Sequence, residues 1–309
     1  MSLLGRSFAS QADFSAEELE RFFSVARLLK AKQKRDEAHP LLAGKTLAMI
    51  FRKASTRTRV SFEVAMLQLS GHALFLGAQD LQLRRGETVA DTARVLSRYV
   101  DGIMIRTFDH RDVLELAEHA SIPVINGLTD YLHPCQALSD FFTVLELKGR
   151  LKGIKLVYVG DGNNMAHSLL LGGSKLGVNV TVCTPPGYRP DPEVVALAQG
   201  QARASGCRVE LALDPSQAVG EADVIYTDVW ASMGQEDEHQ ERLRAFAGFQ
   251  VDAALVQEAK SDAVVMHCLP AHRGEEITDE VMDGPQSVVF HQAENRLHVQ
   301  KAILALLIG

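Results

Sequence analysis

The 309-residue chain has room for two domains or one large one, and its 46% hydrophobic and 23% charged residues are ordinary for a soluble globular protein. Its 32 basic and 39 acidic residues leave a formal charge of −7, which excludes a global basic field for nucleic acid and leaves any anionic substrate to locally placed arginines. No apolar run approaches a membrane span, residues Met1–Ser7 lack the apolar core of a signal peptide, and four widely spaced cysteines without a CxxC pair fit a reduced cytoplasmic protein.

The first amphipathic segment is residues 14–35, with Ser15 as cap, Glu17 and Glu18 in the first turn, and Leu19, Phe22, Phe23, Ala26 and Leu29 in phase. Thr46–Phe51 is short and apolar enough for a buried strand. It empties into Arg52-Lys53-Ala54-Ser55-Thr56-Arg57-Thr58-Arg59, after which Val60, Val64 and Leu67 recur at helical spacing. The loop therefore meets a helix N-terminus, where unpaired N–H groups and the dipole favour an anion. Arg57 adds a planar fork suited to phosphate oxygens. A capped helix with solvated arginines would not need so dense a run of hydroxyls and guanidiniums, so an oxyanion site is the expectation here.

A strand at His72–Leu76 leads into a polar, glycine-bounded loop, Gly77–Glu87. Helix is expected over Thr88–Val100, strand over Gly102–Arg106, helix over Asp112–His119 and strand over Ile122–Ile125. After Asn126–Gln136 comes a helix from about Ala137 to Leu147, then a plausible boundary at Lys148–Gly153. The alternation restarts with strand Lys155–Val159, helix Met165–Leu176, strand Val180–Cys183, helix Pro192–Ser205 and strand Val209–Leu213. A short helix near Ser216–Val219, strand Val224–Thr227, helices Glu238–Ala247 and Ala253–Glu258 and strand Val264–His267 follow. Val288–His291 stands apart from a last helix over Ala293–Ile308. Such alternation implies an α/β protein of two parallel sheets flanked by helices. Ligands of such sheets bind outside the carboxyl ends of strands, where Ser55–Thr58, Arg106, His133, Asn164, Asp228 and Cys268 all fall.

Gly160-Asp161-Gly162-Asn163-Asn164 begins like a dinucleotide fingerprint, but the third glycine is missing and no acid ends the next strand, which weighs against a nicotinamide dehydrogenase. Paired asparagines at a helix start instead suit a zwitterionic amino acid. His267, Cys268 and His272 lack the partners to complete a four-ligand soft site, so no metal is expected.

Ser55-Thr56-Arg57-Thr58-Arg59, His133-Pro134-Cys135-Gln136 and His267-Cys268-Leu269-Pro270 together resemble the signatures of the aspartate/ornithine carbamoyltransferase family. Asp228-Val229-Trp230-Ala231-Ser232-Met233-Gly234 resembles its ornithine branch. The resemblance runs from about Asp13 to Ile308. It implies transfer of the carbamoyl group of carbamoyl phosphate to the δ-amine of L-ornithine, without cofactor or metal. It assigns carbamoyl phosphate to Ser55, Thr56, Arg57, Thr58, Arg106, His133, Pro134, Cys135, Gln136, Cys268, Leu269 and Arg296. Gln82 matches a position donated by an adjacent subunit, which implies a homotrimer with shared active sites. Ornithine falls to Asn164, Asp228, Ser232 and Met233, and the catalytic set is Cys268, Arg106, Asp228 and His133. The domains so implied are a carbamoyl phosphate-binding domain over 1–147 and an ornithine-binding domain over 148–291. They are joined by interdomain helices, with a C-terminal helix of about 292–309 packing back on the first. A silent binding subunit would be expected to have lost Cys268, Asp228 or Arg106, and all three are present.

Overall fold

Capping residues and apolar runs set most of the element boundaries. The computed structural model describes residues 2–78, 81, 86–231 and 238–309. Helix α1 (Ala16–Lys34) opens on a capping box: the Ser15 hydroxyl accepts from Glu18 N–H, and the Glu18 carboxylate accepts from Ser15 N–H. The chain continues through β1 (Thr46–Phe51), α2 (Thr56–Gln68), β2 (His72–Gly77), α3 (Val89–Leu96), β3 (Gly102–Arg106), α4 (His110–His119), β4 (Val124–Leu128) and α5 (Pro134–Lys148). Then come β5 (Lys155–Val159), α6 (Asn164–Leu176), β6 (Asn179–Cys183), α7 (Pro192–Ser205), β7 (Val209–Ala212), α8 (Pro215–Val219) and β8 (Val224–Thr227). The described chain ends with α9 (His239–Ala245), α10 (Ala253–Gln257), β9 (Val264–His267), α11 (Asp279–Met282) and α12 (Val289–Leu307).

Two units result, residues 1–139 with 294–309, and residues 140–293, so the division falls inside α5 and α12. The first holds a parallel sheet in the order β2-β1-β3-β4, and the second a parallel sheet in the order β7-β6-β5-β8-β9. Every residue of β3, and every residue of β1 after Thr46, is buried, as expected of central parallel strands covered on both faces. Strand order reverses between β1 and β3 in one sheet and between β5 and β8 in the other. Those are the switch points at which open α/β sheets leave a crevice. At or just past the ends of these four strands lie Ser55–Thr58, Arg106, Asn164 and Asp228.

Some boundaries differ from expectation for identifiable reasons. Pro123 has no N–H to donate, so β4 starts at Val124, two residues later than expected, and runs on through Asn126 to Leu128, which pairs with Arg106. Pro134 occupies the first turn of α5, three residues ahead of the expected start, where its missing N–H costs nothing. Helix α3 stops at Leu96 because the Ser97 hydroxyl turns back to the Ala93 carbonyl at 2.7 Å. Val288–His291 is not a separate element: only Val288 N–H pairs with the Val265 carbonyl, at 3.0 Å, and α12 has begun by Val289.

Helix α12 carries a fully buried lysine. Lys301 donates to Gln33 Oε1 at 2.7 Å and Gln68 Oε1 at 2.9 Å, both neutral acceptors, and lies 3.4 Å from His39 Nε2. Burial lowers the Lys301 ammonium from 10.5 to about 8. The unfolded chain therefore binds more protons between those two values, and stability rises with pH across that window. In denaturant titrations at fixed protein concentration, the wild type is expected to gain on Lys301→Met by at most about 3 kcal/mol between pH 8 and 10.5, with a flat difference below pH 8. A difference that falls over that interval would contradict the buried ammonium.

Candidate active site

In the first unit the anion site is built from the two central strand ends. Ser55 takes extended angles and its hydroxyl accepts from Thr58 N–H at 3.2 Å, which caps α2 and is worth about 1 kcal/mol. Arg106 ends β3, with its carbonyl accepting from Arg52 N–H at 2.8 Å and its side chain buried. From α12 the Arg296 guanidinium donates to Gln136 Oε1 at 2.5 Å and Thr58 Oγ1 at 3.3 Å. Burial, and then the charges of Arg296, Arg106 and Arg57, hold the His133 imidazole well below its ordinary range. His133 is therefore neutral at pH 7 and keeps an N–H to donate. Two buried guanidiniums, an exposed one on Arg57 and a helix N-terminus gather here the donors and positive charge that a multiply charged oxyanion requires.

Pro134 and Cys135 serve this cluster from behind. The Pro134 carbonyl accepts from Gln11 Nε2 at 2.9 Å, and the Cys135 thiol donates to the Asn126 carbonyl at 3.3 Å. Burial pushes Cys135 up to about 12, so it is an inert packing thiol.

In the second unit the centre is Asp228, just past β8. Its Oδ1 accepts from the Cys268 thiol at 2.9 Å and from Val229 N–H at 2.9 Å, while Oδ2 accepts from Asn163 Nδ2 at 3.1 Å. Asn163 also caps α6, its Oδ1 accepting from Met165 N–H at 2.9 Å, so one amide both starts the helix and orients the carboxylate. Asn164 is the first residue of α6. Beneath lie Tyr158 and Tyr226, ring centroids 6.0 Å apart and wholly buried; burial first, then nearby acidic groups, hold both phenols protonated.

The turn after β9 is fixed by a buried pair. Leu269 N–H donates to His267 Nδ1 at 2.8 Å, so the ring proton sits on Nε2 and is donated to Glu276 Oε1 at 3.0 Å. This holds Leu269 at a left-handed φ of 60, which a non-glycine residue seldom adopts, and aims Cys268 at Asp228. His267, Cys268 and Asp228 could each offer a metal one ligand atom within 4.8 Å of the others. Both nitrogens of His267 are already engaged, which leaves no lone pair for an ion.

The anion-site residues Ser55–Thr58, Arg106, His133, Gln136 and Arg296 thus come together in the first unit, and Asn164, Asp228, Cys268 and Leu269 belong to the second. Gln82, Ser232 and Met233 lie outside the described residues. The sequence reading grouped Asn163 with Asn164 as paired asparagines at a helix start and then assigned ornithine to Asn164 alone; roles for Glu276 and for the buried Arg242–Asp161 pair escaped it.

Comparison with known proteins bears on both units. Residues 6–146 match the aspartate/ornithine carbamoyltransferase carbamoyl-P binding domain, and residues 152–307 match the Asp/Orn binding domain of the same family. The chain belongs to the aspartate/ornithine carbamoyltransferase family. Among its relatives, the ornithine carbamoyltransferase of Thermococcus kodakarensis is 63% identical over 100% of this chain and 98% of its own. The solved ornithine carbamoyltransferase of Pyrococcus furiosus superposes with a TM-score of 0.98 at 62% identity, covering 100% of this chain and 99% of that one. The ornithine transcarbamoylase of Giardia lamblia, at 35% identity, still gives 0.88 over 97% of each chain.

Backbone packing accounts for the second glycine of the Gly160-Asp161-Gly162 turn. A Cβ on Gly162 would stand 2.3 Å from Pro190 N and 2.6 Å from the Tyr188 carbonyl. The glycine is required by close backbone packing against residues 188–190, with no dinucleotide in the argument.

Proposed function

We propose that this protein transfers the carbamoyl group of carbamoyl phosphate to the δ-amine of L-ornithine, giving L-citrulline and phosphate. The observation that carries this reading is the full-length identity of 62–63% to relatives named ornithine carbamoyltransferase. The guanidinium cluster and the Asp228–Cys268 pair supply the chemistry that such a transfer needs. One relative, from Pyrococcus furiosus, bears the name anabolic at 62% identity, which favours the arginine-forming direction here.

The first unit takes carbamoyl phosphate. The α2 N-terminus with Arg57, Arg106 and Arg296 compensates the phosphate charge. Attack forms an N–C bond at the carbamoyl carbon and develops negative charge on its carbonyl oxygen. Thr58, Arg106 and neutral His133 are the donors for that charge. The bond from the carbamoyl carbon to the bridging oxygen then breaks, and phosphate leaves with that oxygen and the bonding pair. The second unit takes ornithine through Asn164 and Asp228, with Ser232 and Met233 completing the amine pocket. An ammonium cannot attack, so the δ-amine gives its proton up, to Asp228 or to the departing phosphate. Ordering two bound reactants supplies a large share of the rate.

The working assembly is a homotrimer in the cytoplasm, with Gln82 reaching the carbamoyl phosphate site of a neighbour. Its support is that large apolar side chains of the first unit stand exposed, Val60 and Leu67 on α2 and Leu74 and Phe75 on the edge strand β2.

The test is a citrulline assay with carbamoyl phosphate and a panel of ornithine, putrescine, aspartate and N-acetylornithine. Turnover with ornithine alone is expected. Turnover with another amine instead would discard the ornithine pocket while keeping the anion site. The trimer has its own test: inactive Gln82 and Arg106 variants, mixed under conditions of proven subunit exchange, are expected to recover activity in hybrids. No recovery would sink the shared site.

A further inference from the structure

One buried cation in the second unit has no place in the chemistry above, yet it touches both loops that carry the amine-recognition residues. Arg242, on α9, donates through Nη1 to Asp161 Oδ2 at 2.8 Å and to the Trp230 carbonyl at 2.8 Å, and through Nε to Glu238 Oε2 at 3.0 Å. Its side chain is 8% exposed and that of Asp161 11%, so the ion pair is a desolvated one. An aromatic wall surrounds it. The guanidinium lies 5.2 Å from the Tyr188 ring centre, Tyr188 packs edge-on against Phe246 at 4.8 Å, and Trp230 stacks on Phe246 at 5.5 Å.

Asp161 sits two residues before Asn163 in the turn after β5, and Trp230 sits two residues after Asp228 in the segment after β8. We propose that Arg242 is a positioning residue for the amine half of the site, tying these two strand-end segments together and so fixing Asn163 and Asn164 relative to Asp228. The proposal rests on the ornithine reading given above, and Arg242 itself reaches none of the three residues it positions.

Two arguments support the tie. The first is geometric: strands β5 and β8 are neighbours, but their ladder ends at Val159 and Thr227, before either functional loop begins. Beyond it, the Asn163–Asp228 hydrogen bond of 3.1 Å spans the two loops at the functional atoms, and Arg242 spans them from behind. The second is electrostatic. Burial pushes the Asp161 carboxyl above its ordinary range, Arg242 pulls it back, and Asp228 pushes it up again. Arg242 thus neutralises a carboxylate that would otherwise repel Asp228 and compete with it for a cationic amine. A lysine would keep the charge and lose the planar fork that serves Asp161, Trp230 and Glu238 from one group.

The experiment compares wild type, Arg242→Lys, Arg242→Gln and the double variant Arg242→Gln/Asp161→Asn, each confirmed folded by circular dichroism. Arg242→Gln is expected to raise the KM for ornithine about tenfold to 100-fold, as a slight misplacement of a binding group does, with the KM for carbamoyl phosphate within about twofold. Arg242→Lys should fall between. Adding Asp161→Asn should recover about threefold or more, because it removes the carboxylate that Arg242→Gln strands in a buried place.

A second readout needs no substrate. Alkylation of Cys268, followed peptide by peptide by mass spectrometry, should change rate in Arg242→Gln because the thiol is bonded to Asp228. Wild type that makes no citrulline from ornithine would defeat the functional reading, and the alkylation arm would still decide the tie. Active wild type with an unchanged ornithine KM and unchanged Cys268 alkylation in Arg242→Gln would overturn it. So would an equal rise in both KM values, the signature of general loosening.

Discussion

Arg106→Gln is expected to lower kcat for citrulline formation on the order of 100- to 1,000-fold, because it removes a charged donor from a site shielded from water. The argument begins with placement. Arg106 is the last residue of β3, its carbonyl held by Arg52 N–H at 2.8 Å, and only 7% of it is exposed. A guanidinium so fixed costs little reorganisation when charge develops on a substrate oxygen. Glutamine keeps one donor and loses the cation, so the loss should appear in kcat and in the KM for carbamoyl phosphate, with ornithine little affected. The same change has a second signature. Arg106 is one of three arginines that help burial hold His133 down, so removing it should move the imidazole pKa upward, as NMR titration would detect. Arg57→Gly is the milder companion. Arg57 is exposed, and its removal should weaken carbamoyl phosphate far more than ornithine and raise the His133 pKa less than Arg106→Gln does. Equal loss of both substrates in Arg57→Gly would count against the α2 loop as the anion site.

Much of this arrangement was legible in the sequence because the signals are local. Leu47–Phe51 and Gly102–Ile105 carry no polar side chain, since both faces of a central parallel strand are covered. Ser15 and Glu18 announce α1 at the distance a capping box requires. The polar positions just past β1, β3, β5 and β8 could be grouped because strand ends at a switch point converge. What escaped depends on contacts between distant residues. Arg242 lies 81 residues from Asp161, and in a linear reading it is one more arginine of a charged helix. His267 and Glu276 are only nine apart, but no periodic pattern marks them, because a turn with a left-handed Leu269 brings them together. Asn163 was passed over in favour of Asn164, since a cap residue is recognised by the helix it starts and its second bond, to Asp228, crosses from one strand end to another. Gly162 shows the converse error available to a motif reader. Its glycine has a local spacing that suggests a nucleotide and a tertiary cause that does not.

Asp228→Asn should be the most damaging change in the second unit, lowering kcat/KM for ornithine on the order of 100- to 10,000-fold, the range over which a positioned proton acceptor contributes. The carboxylate is held at three points, by Cys268, Val229 N–H and Asn163, so its orientation is set before any amine arrives. Asparagine of the same shape removes the negative charge and turns one acceptor into a donor that faces another donor. Carbamoyl phosphate binding should stay within about twofold, since the arginines proposed for it belong to the first unit. The informative partner experiment is Cys268→Ser. In the structure the thiol donates to Asp228, which makes Asp228 the acceptor and Cys268 its orienting neighbour. A serine hydroxyl can donate in the same way, so Cys268→Ser should cost about tenfold or less, the scale of one perturbed hydrogen bond. Were the sulfur itself the proton acceptor, serine would fail as badly as Asp228→Asn, because a hydroxyl is a far weaker base than a thiolate. Equal losses in the two variants would therefore transfer the role to Cys268. A deep loss at Asp228 with a shallow one at Cys268 assigns proton removal to the carboxylate that three donors already aim.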